Sequence, residues 1–261
     1  MRLSQVVRPP FEKHTQWAKE PPTKILFLRH GETDWNVKGI IQGWKGAGLN
    51  DVGLRQARAA ATRVKRMDLT IEAVLSSDLK RARQTAQVLG RALGLGVTAR
   101  KDLRERRFGD WEGRSIAQVL ELFKLGARTR KDPFLAFDPQ GGETMGAFAR
   151  RMESFLKAVL KKYHGRTVAA VSHGGPVRIS ACLATGIPPK RYFLLGRPGN
   201  VSLTLLAHQG GVWWVEFYND MAHLEGGHDA AAAAKRKGGK GGSRGSGKGS
   251  PMGGKKRKAP R

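Results

Sequence analysis

The stretch Lys24-Ile-Leu-Phe-Leu-Arg29-His30-Gly31 decides the fold. Residues 25–28 are apolar at every position, and charge closes the run on both sides. Successive side chains of a strand point to opposite faces, so such a run needs cover on both. That is the signature of a buried parallel strand. The same layout returns at Val168-Ala-Ala-Val171-Ser172-His173-Gly174-Gly175. In open α/β sheets, ligands bind beyond the carboxyl ends of the strands, where side chains from distant positions converge. His30 and His173 are therefore expected to share one pocket. Imidazole keeps a free-base population at neutral pH and can act as a nucleophile.

Outward from these strands, helical spacing runs through Leu54, Ala57, Ala61, Val64 and Met67, and again through Leu79, Ala82, Ala86, Leu89 and Leu93. Ser115-x-x-Gln118 reads as a capping box opening a further helix. The clearest helix is predicted over about Met145–Tyr163, with one apolar stripe through Phe148, Met152, Phe155, Val159 and Tyr163. Gly174, Gly175 and Pro176 turn the second strand into a helix. Val201–Leu206 and Val212–Tyr218 read as a hairpin joined by His208-Gln-Gly-Gly211. Strands alternating with helices predict an α/β domain with a mostly parallel sheet flanked by helices.

The chain divides into an N-terminal arm (1–22), one folded domain (23–220) and a basic Gly/Lys/Arg-rich tail (221–261). The tail has too little apolar surface to offset its ordering entropy and is expected to be disordered. Of 48 basic side chains, 11 lie in residues 227–261, with one of the 21 acidic ones. The net charge is +27, so the preceding residues are basic as well. A positive cleft draws in anionic substrates. A basic tail adds salt-sensitive, nonspecific attraction for polyanions or nucleic acid. The single cysteine, Cys182, excludes an intramolecular disulfide and a cysteine-rich zinc site, and reads as a small buried hydrophobe. No apolar run approaches the roughly 20 residues of a membrane span. With no signal-like leader, a cytoplasmic protein is expected.

Further motifs follow in order: Arg29-His30-Gly31-Glu32-Thr33-x-x-Asn36, Ser76-Ser77-Asp78-Leu79-x-Arg81-Ala82-x-Gln84-Thr85-Ala86, Leu103-Arg104-Glu105-x-x-Phe108-Gly109-x-x-Glu112-Gly113, Gly141-Gly142-Glu143-Thr144 and Ser172-His173-Gly174-Gly175. Together they resemble the histidine phosphatase superfamily, in its phosphoglycerate-mutase-like branch, over residues 23–220.

The resemblance implies a phosphoglycerate-mutase-like fold and a phosphomonoester hydrolase working through a phosphohistidine on His30. Arg29 and Arg81 would bind the nonbridging oxygens with their planar forks. His173 would donate a further hydrogen bond, and Glu105 would protonate the leaving oxygen. Asn36, Thr33, Gln42, the Gly43 backbone and Gly174 correspond to substrate-binding positions. The two guanidinium groups should hold His30 as a free base. They also take the electrostatic role that Mg²⁺ plays elsewhere, so neither a metal nor another cofactor is implied. The expected partner is a phosphorylated small molecule.

Two alternatives stay open at this level. Cofactor-dependent phosphoglycerate mutases follow the second histidine with Gly-Asn, whereas Gly174-Gly175 stands here, as in many family phosphatases. Arg106 after Glu105, however, is a mutase feature. The other alternative is a nucleic-acid-binding protein whose basic tail carries the function.

Overall fold

The computed structural model describes residues 20–127 and 138–224. Chain order is β1 (Thr23–Arg29), α1 (Asp34–Val37), α2 (Asp51–Lys65), β2 (Ile71–Ser77), α3 (Lys80–Leu93), β3 (Val97–Arg100), α4 (Ile116–Ala127), α5 (Met145–Lys162), β4 (Thr167–Ser172), α6 (Gly174–Thr185), β5 (Leu203–Gln209) and β6 (Val212–Asp220). These strands form one sheet in the order β3-β2-β4-β1-β5-β6. β3, β2, β4 and β1 run parallel, β5 pairs antiparallel with β1, and β6 antiparallel with β5. The sheet is thus mostly parallel with helices on both faces, as the apolar run of β1 requires.

β1 is the hinge of the packing. Ile25 and Phe27 enter a core with Phe148, Met152 and Phe155 of α5 and Val177 and Ile179 of α6. Leu26 and Leu28 enter the opposite core, with Ala60 and Val64 of α2 and Ala82 and Leu89 of α3. Truncating a large side chain such as Phe155 to Ala in such a core costs about 3–5 kcal/mol.

The structure adds two strands that the sequence reading lacks. β2 reads Ile-Glu-Ala-Val-Leu-Ser-Ser, with a central apolar stretch too short to announce itself, and its burial comes from lying between β4 and β3. β3 is a four-residue edge strand with no fully buried residue, so periodicity has nothing to report. The capping box at α4 forms, with Gln118 N donating to Ser115 Oγ at 3.2 Å and Ser115 N donating to Gln118 Oε1 at 2.9 Å. The β5–β6 turn falls at Gly210 and Gly211, whose φ values of 57° and 82° suit a tight hairpin.

The predicted arm, apart from residues 20–22, and the basic tail beyond Leu224 lie outside the described residues. Residues 221–224, read from sequence as the start of the tail, continue the folded unit, and Leu224 packs on the core beside α2 and α3. Cys182 is buried, with its thiol pushed up by burial. Among the described residues no helix is long and apolar enough to cross a membrane.

Candidate active site

β1 and β4 are neighbours in register, Arg29 lying opposite Ser172. The next pair along is His30 and His173, and their ring centroids are 5.1 Å apart, edge to face. Both rings are buried. The His30 backbone continues the ladder, its N–H donating to Ser172 O at 2.9 Å. Its Nδ1 lies 2.7 Å from Gly31 O. A carbonyl can only accept, so Nδ1 carries the proton and Nε2 keeps the lone pair. Gly31 is required by close approach, since a Cβ there would stand 2.5 Å from Gly53 O at the start of α2.

Two buried guanidinium groups flank this ring. Arg29 ends β1 and donates from Nη1 to Pro198 O at 2.5 Å. Arg81, in the first turn of α3, reaches across to Gly43 O at 2.7 Å and Lys45 O at 3.0 Å. Burial is the main cause that pulls each down to about 10. His30 is held well below the usual imidazole range by burial first, then by Arg81 and Arg29. Burial and Arg81 do the same to His173. Several buried polar atoms here have no partner: Nε of Arg29, Nε of Arg81, Nδ1 of His173 and Oε1 of Gln42. Buried polar groups are rarely left so, and three unspent nitrogens around one imidazole describe a receptor for an anion's oxygens.

Glu105 faces the same cleft. Its Oε1 accepts from Arg106 N at 2.8 Å and its Oε2 from Gly175 N at 3.2 Å, at the amino end of α6. Its own carbonyl accepts from Trp44 Nε1 at 2.8 Å and from Arg151 Nη2 at 3.3 Å. Arg151 is itself paired with Glu143 at 2.7 Å and bonded to Asp102 O and Arg104 O. The loop carrying Glu105 is thus clamped from behind. Gly175 is the matching concession, because a Cβ there would lie 2.1 Å from Glu105 Oε1.

Asn36, Gln42, Gly43 and Gly174 line the cleft with Arg29, His30, Arg81 and Glu105, and the space encloses about 260 Å³. Thr33 stands elsewhere: fully buried behind the lining, its Oγ1 accepts from Gln42 Nε2 at 2.9 Å and bonds Asn36 Oδ1 at 3.1 Å. It holds two lining residues rather than joining them. His173 is likewise fully buried behind the lining, and its ring meets that of His30 edge-on. Among the described residues no three His, Cys, Asp or Glu side chains cluster as a metal site would need.

Several residues here escaped the sequence reading. Ser77 Oγ engages His173 Nε2 at 2.8 Å. Asn200 Nδ2 donates to His30 O at 3.1 Å and to Asn36 Oδ1 at 3.2 Å. Beside it, Val201 adopts φ 53°, a conformation costing a β-branched residue roughly 1–3 kcal/mol. Arg178, Tyr192 and Arg197 also line the cleft. Only Ser77 stood inside a quoted motif; the others come from the connection before β5 and from α6, where no pattern marks them.

Residues 25–221 match the sequence profile of the histidine phosphatase superfamily, branch 1. The chain belongs to that superfamily. Among its relatives, phosphoglycerate mutase-like protein 4 of Arabidopsis thaliana is 34% identical over 207 residues, 77% of this chain and 87% of the relative. The metal-independent phosphoserine phosphatase of the same plant is 32% identical over 227 residues, 82% and 90% of the two chains. Among solved structures, mycobacterial glucosyl-3-phosphoglycerate phosphatase in complex with VO3 superposes with a TM-score of 0.65 at 32% identity, covering 75% of this chain and 98% of that one. This histidine phosphatase is therefore an enzyme of phosphate-ester chemistry in a phosphoglycerate-mutase-like fold.

Proposed function

We propose that the protein is a metal-independent phosphomonoester hydrolase acting on small phosphorylated molecules through a phosphohistidine on His30. The observation that carries this is the ring of unpartnered buried nitrogens on Arg29, Arg81 and His173 around an imidazole whose Nε2 lone pair is free. Two relatives named for phosphoserine and for glucosyl-3-phosphoglycerate support a small-molecule substrate.

In the first step Nε2 of His30 attacks phosphorus and the ester P–O bond breaks. Arg29, Arg81 and Nδ1 of His173 hold the nonbridging oxygens, where charge stabilisation is most of the catalysis. Glu105 gives its proton to the leaving oxygen and the alcohol departs. In the second step water attacks the phosphohistidine, Glu105 takes the water's proton, and the P–N bond breaks to release phosphate. Burial and the two arginines keep His30 unprotonated for the attack.

The test is phosphate release from a panel of phosphomonoesters in EDTA, 3-phosphoglycerate included. Release that persists in EDTA, with an acid-labile phosphoenzyme absent from His30→Ala, is the expected result. Release that stops in EDTA would remove the metal-independent mechanism. Isomerisation of 3-phosphoglycerate seen only with added 2,3-bisphosphoglycerate would replace hydrolysis by mutase chemistry.

A further inference from the structure

The outer surface of α2 and α3 carries positive charge that nothing in the described structure matches. The two helices cover one face of the sheet side by side, sinking Ala57, Ala60 and Val64 of α2 and Ala82, Ala86 and Leu89 of α3 into a shared core. Their exposed sides are basic: Arg55, Arg58 and Lys65 follow one another along α2, and Lys80, Arg83 and Arg91 along α3. Against them stands Asp51 at the first residue of α2, and α3 has no acidic residue. Among the described residues none of these cations has an ion pair or a side-chain hydrogen bond. Other exposed cations do find acids. Arg63, off the α2 row, meets Asp220 at 3.6 Å, Lys157 of α5 meets Glu153 at 2.6 Å, and Arg166 meets Glu72 at 3.0 Å.

The two basic rows run parallel. α2 joins β1 to β2 and α3 joins β2 to β3, all strands pointing one way, so both helices return along the sheet in the same direction. At about 1.5 Å per residue each row is about 15 Å long, and packed helices lie roughly 8–10 Å apart. A nucleic-acid duplex offers rows of phosphate across grooves about 6 and 12 Å wide, one charge for about every 1.7 Å of axis. The spacing of the basic rows falls between those widths, within reach of long Arg and Lys side chains. Neither helix contains an aromatic residue, the platform on which single strands stack. Exposed Thr62 and Gln87 stand between the cations, where a membrane-binding helix would set Trp, Phe or Leu. The segments 1–19, 128–137 and 225–261 each carry more basic than acidic side chains, so none of them brings the net negative charge that would match this face.

We infer that the exposed face of α2 and α3 is a docking surface for the phosphate backbone of a double-stranded nucleic acid. Backbone contacts fix position without reading sequence, so the surface holds the enzyme on duplex whatever its bases. The catalytic cleft is built from other residues. Of these two helices only α3 reaches its lining, through Arg81, whose guanidinium turns inward to Gly43 O and Lys45 O. Docking therefore stands independently of the hydrolase reading above.

The experiment titrates the full chain into a short fluorescent DNA duplex of mixed sequence, followed by anisotropy over a range of salt concentrations. Each phosphate contact contributes about −0.9 to the slope of log K against log [salt]. The Arg55→Gln/Arg58→Gln/Arg83→Gln/Arg91→Gln variant should flatten that slope by about 3 to 4 relative to wild type. The Arg150→Gln/Lys157→Gln/Lys161→Gln/Lys162→Gln variant removes the same charge from α5 and should flatten it by less than about one. Glutamine suits an exposed helical position, so both variants should keep the wild-type melting temperature. Acetylation of the unmutated protein gives a readout that no variant's folding can disturb. Duplex should shield Lys65 and Lys80 and leave Lys157 and Lys161 reactive. Equal flattening by the two variants, flattening by neither, or equal shielding of all these lysines would overturn the surface and leave duplex binding to net charge or to the basic tail. If the first variant lost binding to phosphatidylserine vesicles while its duplex slope stayed unchanged, a membrane would replace nucleic acid and the proposal would fall.

Discussion

The two strand ends that meet in the cleft share one layout, strand, histidine, glycine, and differ in which ring nitrogen the protein occupies. At the end of β1, Gly31 O engages Nδ1 of His30 and leaves Nε2 free. At the end of β4, Ser77 Oγ engages Nε2 of His173 and leaves Nδ1 buried without a partner. His30 lines the cleft, whereas His173 is fully buried behind it. One anchor leaves Nε2 of His30 without a protein partner on the cleft side; the other leaves Nδ1 of His173 buried and unpartnered, with its ring edge-on to the first. A shared His-Gly strand end thus acquires two different hydrogen-bond settings from the atoms that lie beside each ring.

The strongest way to break this comparison is to remove each ring in turn. His30→Ala should lower kcat by more than about 10⁴-fold, because the proposed nucleophile is gone. His173→Ala should lower it by about 10²–10³-fold, the range for losing one transition-state donor, and should still form phosphoenzyme. Rapid-quench kinetics with acid-labile phosphate counting would measure both. A phosphoenzyme that survives His30→Ala and vanishes in His173→Ala would reverse the assignment.

Gly175→Ala tests the proton-donor role proposed for Glu105. The added methyl would strike Glu105 Oε1, so the carboxyl must swing away from its place in the cleft. We expect kcat to fall by about 10²-fold, within the contribution of general acid–base catalysis, with the melting temperature little changed. Esters with good leaving groups should suffer least, since they need no proton; a uniform loss across leaving groups would point to damage elsewhere.

Ser77→Ala sharpens the contrast at its source. Without the hydroxyl, Nε2 of His173 loses its anchor, and kcat is expected to drop about tenfold, in line with one lost hydrogen bond of roughly 1–1.5 kcal/mol. Ser77→Thr should recover most of it. An unchanged kcat in Ser77→Ala would show that packing alone orients His173.

The smallest effect is on acid stability. Both imidazoles are held below their unfolded value of about 6.5, so the unfolded chain binds more protons once pH drops under that value. Stability should be level above about pH 6.5 and fall on acidification, by about 1.4 kcal/mol per pH unit for each histidine, until the folded-state values are passed. Melting temperature against pH, in wild type and in the His30→Asn/His173→Asn double variant, reads this directly. The double variant should show the shallower acid slope.

Much of this was legible without coordinates. Leu26 and Phe27, apolar on alternating faces, required a sheet covered on both sides, and the two His-Gly strand ends required a shared pocket. Those inferences work because strand period and burial are local properties of the chain. β2 and β3 were not legible, since Ala73-Val74-Leu75 is too brief a run and β3 buries none of its four residues fully. Thr33, taken from its motif as a substrate contact, stands behind Asn36 and Gln42.

By itself, then, the sequence determined the layered architecture, the meeting of the two His-Gly strand ends and the superfamily. Tertiary structure alone decided which nitrogen of each histidine is free, that Arg178 and Arg197 face the same cleft, and that Val201 is strained beside His30. The physical reason is range. Periodicity and charge are written within a few residues, whereas a ring's tautomer depends on an atom as far off as Ser77 is from His173, 96 positions along the chain.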